Sequence, residues 1–194
     1  MILYYAPGAC SQASHIALIE AQLPFTLVKV GRDRRTDDGR DFNLINPKGY
    51  TPALDLGDGT ILTENVAILS YIAAKSGKLL AHEGLERWRA LEATVFMNTE
   101  LHRNFMPFFR GGSDQDKEQA TQALQMRFGT LVDQLGEKAF LVGAQMTMAD
   151  CYLFVMLAWA DMMGVALPPQ LVAYQARLKG VPSVAQALRD EGLA

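Results

Sequence analysis

The stretch YYAPGACSQASHIAL, residues 4–18, changes from a strand-like to a helix-like pattern around one cysteine, Cys10. The segment ILYY (2–5) has the bulky residues typical of a short strand. After the turn PGA, Ala13, Ile16 and Ile19 recur at the spacing of one helical face. A strand, a tight turn and a helix in succession predict the start of a β-α-β unit with a parallel strand pair.

The same alternation continues outward from this stretch to about residue 76. The segment FTLVKV is rich in β-formers, PALDL and TILT flank the turn GDG as in a hairpin, and ENVAILSYIAAK has helical spacing. The order β-α-β-(short α)-β-β-α predicts a mixed four-stranded sheet with helices.

The remainder of the chain shows helical patterns and almost no strand pattern. The segment SGKLLAHEG contains two glycines and breaks the periodicity, so it is a plausible connector. Helices are predicted over 85–110, 116–136, 148–163, 168–179 and 183–190, with Pro107 expected to bend the first. The predicted fold is therefore α+β: a domain at 1–76, a linker at 77–84 and an all-helical domain at 85–194.

The segment MTMADCYLF contains a helix start signal. Thr147 and Asp150 have the spacing of a capping box, and Met146 and Cys151 have that of a hydrophobic staple. This pattern favours a structural role for Asp150 over a catalytic one, and it predicts that Cys151 is buried.

Composition and charge exclude several functions. The chain has 194 residues, a net charge of −3 and two cysteines, so neither nucleic-acid binding nor a disulfide framework is expected. The longest apolar run, CYLFVMLAWA, is about half the length of a membrane span. The histidines and cysteines lack metal-ligand spacing. Without the pattern of a secretory signal at the start, we expect a cytoplasmic protein with no metal.

Four places offer chemistry, and each also has a structural explanation. Cys10 at a helix start is either a thiol with a lowered pKa or a small buried residue. Its neighbour Ser11 either caps the helix or donates to a ligand sulfur. The Thr51–Pro52 bond is either a cis turn that exposes backbone groups to a ligand or an ordinary trans turn.

The other two places lie on helices. Glu64 opens a helix, where it either interacts with the helix dipole or binds a ligand ammonium. His102 and Arg103 lie beside Phe105 and Phe108, which either line an apolar pocket or belong to the core.

Taken together, these segments resemble one family. YYAPGACS with SHIAL, NPKGYTPAL, GDGTILTENVAI, TELHRNF and MTMADCYLF are similar, in order and spacing, to motifs of the glutathione S-transferases, most closely the bacterial beta class. The resemblance covers essentially the whole chain. It implies a thioredoxin-like N-terminal domain, an all-α C-terminal domain, a homodimer, and glutathione as co-substrate.

The resemblance also implies roles for individual residues. Cys10 would lie beside the glutathione sulfur, and Thr51, before a cis Pro52, would bind the cysteinyl part. The γ-glutamyl end would bind Glu64 and Asn65, and the glycyl carboxylate would bind Arg35 or, because the loop seems shorter, Arg34. His102 and Arg103 would face the site from the second domain.

The implied activity is conjugation of glutathione to an electrophilic, mostly apolar small molecule. The candidate catalytic residues are Cys10, Ser11, His102 and Tyr5, and the candidate electrophile pocket consists of Phe105, Phe108 and Trp159. Cys10 could also act in disulfide or peroxide reduction. A non-catalytic binding protein of the same fold is the alternative. At Val95 some members have an asparagine that reaches glutathione across the dimer; Asn98 or Thr94 could substitute.

Overall fold

The computed structural model describes residues 1–194, which form two compact units. The first 80 residues contain β1 (Ile2–Tyr5), α1 (Ser11–Glu20), β2 (Thr26–Lys29), α2 (Phe42–Ile45), β3 (Ala53–Asp55), β4 (Ile61–Thr63) and α3 (Asn65–Ser76). The strand order is β2-β1-β3-β4. The pair β1–β2 is parallel, whereas β1–β3 and β3–β4 are antiparallel. The predicted mixed four-stranded sheet is confirmed.

Alternation along the strands places one apolar layer on each face of this sheet. Leu3 and Leu54 are fully buried, as is Ile16 of α1. Tyr4 belongs to a separate apolar cluster, in which it packs against Phe42 of α2 with ring centroids 5.8 Å apart. These layers fix the ends of β1 and β3, where the candidate site begins.

All regular elements of the second unit, Ala81–Val181, are helical. The unit contains α4 (Gly84–Phe96), a π-helical turn (Met97–Leu101), a 3-10 turn (His102–Phe105), α5 (Met106–Phe109), α6 (Asp114–Leu135), α7 (Met148–Met163) and α8 (Pro169–Lys179). The predicted helix 85–110 is thus interrupted. Pro107 lies in the first turn of α5, where its missing N–H costs no hydrogen bond, and this favours a new helix start at that point.

The last helix, α9 (Pro182–Asp190), belongs to the first unit and packs against α1. The predicted second domain ran to residue 194, so the structure differs there. The reason is a set of polar contacts between residue 191 and the start of α1, described below, which local sequence patterns do not reveal. The boundary between the units, at 80/81, lies inside the predicted linker.

The predicted capping box begins α7. Asp150 is buried and accepts hydrogen bonds from the backbone N–H of Thr147 (2.6 Å), the N–H of Leu141 (2.8 Å) and the hydroxyl of Tyr174. Burial raises the pKa of Asp150, and these hydrogen bonds oppose the rise. Cys151 is fully buried, as predicted. None of the helices is both long enough and apolar enough to span a membrane.

Candidate functional site

Cys10 is a partly exposed residue at the N-terminus of α1. Its thiol donates to the carbonyl of Thr51 over 3.7 Å, and the Thr51–Pro52 bond is cis, as the resemblance implied. Burial raises the pKa of Cys10 to about 12, although hydrogen bonds from the N–H groups of Cys10 and Ser11 act in the opposite direction. Of the two alternatives for Cys10, a lowered pKa is therefore not what the structure favours: desolvation outweighs the helix terminus, so the thiol is protonated at neutral pH.

The hydroxyl of Ser11 is used within the turn that precedes α1. Its oxygen accepts from the N–H of Ala6 at 3.2 Å, and the hydroxyl donates to the carbonyl of the same residue at 3.2 Å. Ser11 is fully buried. A hydrogen bond from Ser11 to a ligand sulfur would require breaking the hydrogen bond that its hydroxyl donates to Ala6. The contacts therefore favour a structural role for Ser11 over a catalytic one.

Tyr5 lies at the end of β1 with its ring against His15, the two centroids being 6.1 Å apart. Its pKa is raised, first by burial and then by the negative charge of Glu191. The phenol therefore stays protonated, and its neighbours belong to the α1–α9 contact. These contacts do not support the catalytic role expected for Tyr5.

A buried carboxylate from the end of the chain joins the Cys10 turn to α1. Glu191 accepts from the N–H of Gly8 (2.8 Å), from Nε2 of Gln12 (3.1 Å) and lies 2.9 Å from Nδ1 of His15. The side chains of Glu191 and His15 are both fully buried. Sequence patterns missed this network because Glu191 looks like an ordinary polar residue at a helix end.

Glu64 lies exposed at the N-terminus of α3 with a positive φ of 71°. Its carboxylate accepts from Nζ of Lys48 at 2.5 Å and from the hydroxyl of Tyr50 at 2.7 Å. These hydrogen bonds lower the pKa of Glu64. Lys48 and Tyr50 were not predicted as site residues, although both occur in the NPKGYTPAL motif. The structure therefore adds a cation to the predicted site.

The side chain of Asn65 links α3 to α1. Its Oδ1 accepts from the hydroxyl of Ser14 at 2.6 Å, and its Nδ2 donates to the carbonyl of Cys10 at 3.0 Å. Both ends of the amide are therefore engaged inside the protein. For the expected contact with a γ-glutamyl group, Asn65 has its backbone N–H to offer, since the first intrahelical bond of α3 reaches Ile68.

The two candidate arginines point in different directions. Arg34, with a φ of 62°, donates to Oδ1 of Asn43 at 3.2 Å and lies over Gly49, where a Cβ would meet its Nη1 at 2.5 Å. Arg35 instead directs its guanidinium at the carbonyl of Gly39, 3.4 Å away. Arg34 is therefore the arginine beside the NPKGYTPAL loop, whereas Arg35 was the first expectation.

In the helical unit, His102 forms a polar contact inside an aromatic cluster. Its Nδ1 lies 2.7 Å from the hydroxyl of Tyr152, and its ring meets Trp159 edge-on with centroids 4.9 Å apart. Burial, and then the charge of Arg110, lower the pKa of His102 to about 4. Arg103 is exposed beside it. His102 is therefore neutral at physiological pH.

The predicted pocket residues belong to the same cluster. Phe105 is fully buried with its ring 5.6 Å from that of Trp159, and Phe108 is half-buried 6.3 Å from Phe105. Phe109, which follows the expected pocket residues in the same segment, is 42% exposed and meets Trp159 edge-on with ring centroids 4.7 Å apart. Phe105 thus supports the cluster from inside, while Phe108 and Phe109 supply its accessible apolar surface.

Comparisons with known proteins agree with this geometry. A model of the glutathione S-transferase N-terminal domain matches residues 8–75, and a model of the C-terminal domain matches residues 114–186. This chain belongs to the glutathione S-transferase family. The family, fold and enzyme class predicted from the sequence are therefore confirmed.

Individual relatives of this transferase match over their full length. Glutathione S-transferase GstA of Escherichia coli O157:H7 is 38% identical, with all of both chains covered. The structure of a beta-class transferase of Sphingomonas chungbukensis is 42% identical with a TM-score of 0.92. That of a sphingomonad transferase complexed with glutathione is 40% identical with a TM-score of 0.93. Each match covers the whole of this chain and the whole of the other chain.

Val95, at the position where some family members have an asparagine, is an apolar residue of α4 that is 46% exposed. Of the two suggested substitutes for an asparagine there, Thr94 is fully buried and donates to the carbonyl of Ala90 at 2.7 Å, whereas Asn98 is exposed but accepts from Tyr152 at 3.2 Å. Thr94 therefore cannot reach a ligand.

Proposed function

We propose that this transferase conjugates glutathione to electrophilic, mostly apolar small molecules, in the reaction RX + GSH → GS–R + HX. The observation that carries the proposal is the position of the Cys10 thiol. Cys10 lies at the N-terminus of α1, and its thiol donates to the carbonyl of Thr51, just before β3. A thiol donor, a strand-edge carbonyl and a helix terminus together suit a ligand that contains both a peptide backbone and a sulfur atom.

In this proposal the Cys10 thiol turns its hydrogen from the carbonyl of Thr51 to the sulfur of bound glutathione, and Cys10 is not the attacking nucleophile. Burial raises the pKa of Cys10 to about 12, so the Cys10 thiol is protonated at pH 7. The positive end of α1 and the protonated thiol would then both favour the thiolate of glutathione over its thiol. The same pKa disfavours reduction of disulfides or peroxides through a Cys10 thiolate.

The ends of glutathione would bind to charged groups of the first unit. Glu64 would accept the γ-glutamyl ammonium, and the first-turn N–H groups of α3, including that of Asn65, would bind the adjacent carboxylate. Lys48 and Glu64 are each about half exposed, so replacing their ion pair costs little. Arg34, rather than Arg35, would bind the glycyl carboxylate. Thr51 would pair its backbone with the cysteinyl part.

In the second unit, we assign His102 and Arg103 to glutathione binding, as the family resemblance implies. The apolar electrophile would contact Phe108 and Trp159, with Phe105 behind them. The exposed edge of Phe109 adds to that surface.

Steady-state conjugation with a chromogenic aryl chloride tests the proposal. Cys10→Ala should lower kcat while glutathione still binds, and Glu64→Gln should raise KM for glutathione about ten- to hundredfold through the loss of one charged hydrogen bond. Glu118→Gln, at an exposed position of α6, is the matched control. A wild-type protein that binds immobilised glutathione but conjugates no electrophile would instead support the non-catalytic binding protein.

We further propose that a second copy covers an apolar groove between α4 and α6. The groove has a volume of about 720 Å³ and includes Trp88 and Val95, which are 62% and 46% exposed. An exposed apolar surface of this kind typically marks an interface. A homodimer explains it without another partner. A cytoplasmic location, where glutathione stays reduced, remains a prediction.

A further inference from the structure

Three polar groups meet where the long helical segment of the second unit changes its winding. Asn98 lies in the π-helical turn, and His102 begins the 3-10 turn one helical turn later. The hydroxyl of Tyr152, from α7, lies between them: 2.7 Å from Nδ1 of His102 and 3.2 Å from Oδ1 of Asn98. Interruptions of this π-helical type occur frequently at functional sites.

The hydrogen atoms in this group can be assigned by counting donors and acceptors. A tyrosine hydroxyl has one hydrogen, and here it is donated to Oδ1 of Asn98, which can only accept. The hydroxyl oxygen must then accept from His102, so Nδ1 carries the imidazole proton. A neutral imidazole has one such proton, so Nε2 has none. His102 is neutral because burial and Arg110 lower its pKa to about 4.

We propose that Tyr152 and Asn98 are positioning residues that hold His102 in the Nδ1–H tautomer, so that Nε2 acts only as a hydrogen-bond acceptor. This inference rests on the proposed function for the identity of the ligand. His102 then binds glutathione by accepting one of its hydrogens. It does not stabilise the thiolate by donation, which leaves that task to Cys10 and α1.

The tautomer can be observed in the ligand-free full-length protein. The chain has three histidines, so long-range ¹H–¹⁵N correlation spectra of wild-type protein and of His82→Gln and His102→Gln assign each ring. At neutral pH we expect His102 to show a protonated Nδ1 and an unprotonated Nε2. A protonated Nε2 in the wild type would overturn the proposal, whatever the enzymatic activity.

Substitution of Asn98 separates positioning from a merely structural role. Asn98→Ala removes the acceptor, so the Tyr152 hydrogen becomes available to Nδ1 and the proton of His102 should move to Nε2. Asn98→Asp keeps an acceptor and should restore the wild-type tautomer. Asn98 is exposed, so neither change disturbs the core. Glu118→Gln, at an exposed position of α6 outside that turn, is the control.

Kinetics then test the acceptor role. Asn98→Ala should raise KM for glutathione about three- to tenfold, the loss of one hydrogen bond, with kcat nearly unchanged. Asn98→Asp should return KM for glutathione to near the wild-type value. A displaced tautomer with unchanged KM would refute the acceptor role. Absence of conjugation by a wild type with the expected tautomer would refute the proposed function alone.

Discussion

The buried carboxylate of Glu191 makes a quantitative prediction about the support of the Cys10 turn. Glu191→Ala leaves three donors of the first unit without their acceptor: the N–H of Gly8, Nε2 of Gln12 and Nδ1 of His15. A buried donor left unsatisfied costs about 1–3 kcal/mol, so leaving three of them unsatisfied costs at least about 3 kcal/mol in total. We therefore expect a loss of at least about 3 kcal/mol in the free energy of unfolding, out of a typical 5–15 kcal/mol.

Urea unfolding followed by far-UV circular dichroism measures this loss. Asp190→Ala is the matched control, because Asp190 is 35% exposed and lies 3.6 Å from Nε2 of His15. A contact of that kind contributes less than about 1 kcal/mol. Hydrogen exchange of residues 8–15 should accelerate in Glu191→Ala and not in the control. A Glu191→Ala protein within about 1 kcal/mol of wild type would refute the reasoning.

Three further experiments test other parts of the structure. Alkylation of Cys10 by iodoacetamide should be slow at neutral pH and rise about tenfold per pH unit with no plateau up to pH 9, because its pKa is about 12; a plateau below pH 8 would contradict this. The pKa of His102 falls from 6.5 to about 4 on folding. The unfolded state therefore binds more protons between these values, and stability should fall as pH drops through that window, by at most about 3 kcal/mol, but not in His102→Gln. Trp88→Glu should convert the proposed dimer to monomers in analytical ultracentrifugation, whereas Leu193→Glu, outside the groove, should not.

Local patterns were sufficient to predict most elements of the fold. Predicted strands at 2–5 and 60–63 correspond to β1 and β4, and the predicted helix 148–163 has the bounds of α7. In each case alternation, helical spacing or a capping box acts within a few residues. The winding change at 97–105 was missed, because a π-helical turn has no distinct apolar period.

The site residues were predicted less completely, because polar side chains choose partners that are distant in sequence. Ser11 and Asn65 were expected at the ligand, yet both are engaged by neighbouring backbone or side chains. Lys48 approaches Glu64 only once β3 and β4 have paired. Glu191 reaches Gly8 across most of the chain. Such contacts depend on topology, which spacing along the sequence does not encode.

In the proposed mechanism Cys10 remains a thiol and donates to the sulfur of bound glutathione, which carries the negative charge. Titration of the ultraviolet thiolate absorbance against pH, with and without glutathione, shows which of the two sulfurs ionises. We expect no thiolate signal below pH 9 in the free enzyme. In the complex, the glutathione thiolate should form at a lower pH than in solution, and this lowering should be smaller in Cys10→Ala. A thiolate that titrates near neutral pH in the free wild-type enzyme and disappears in Cys10→Ala would instead identify Cys10 as the ionised sulfur.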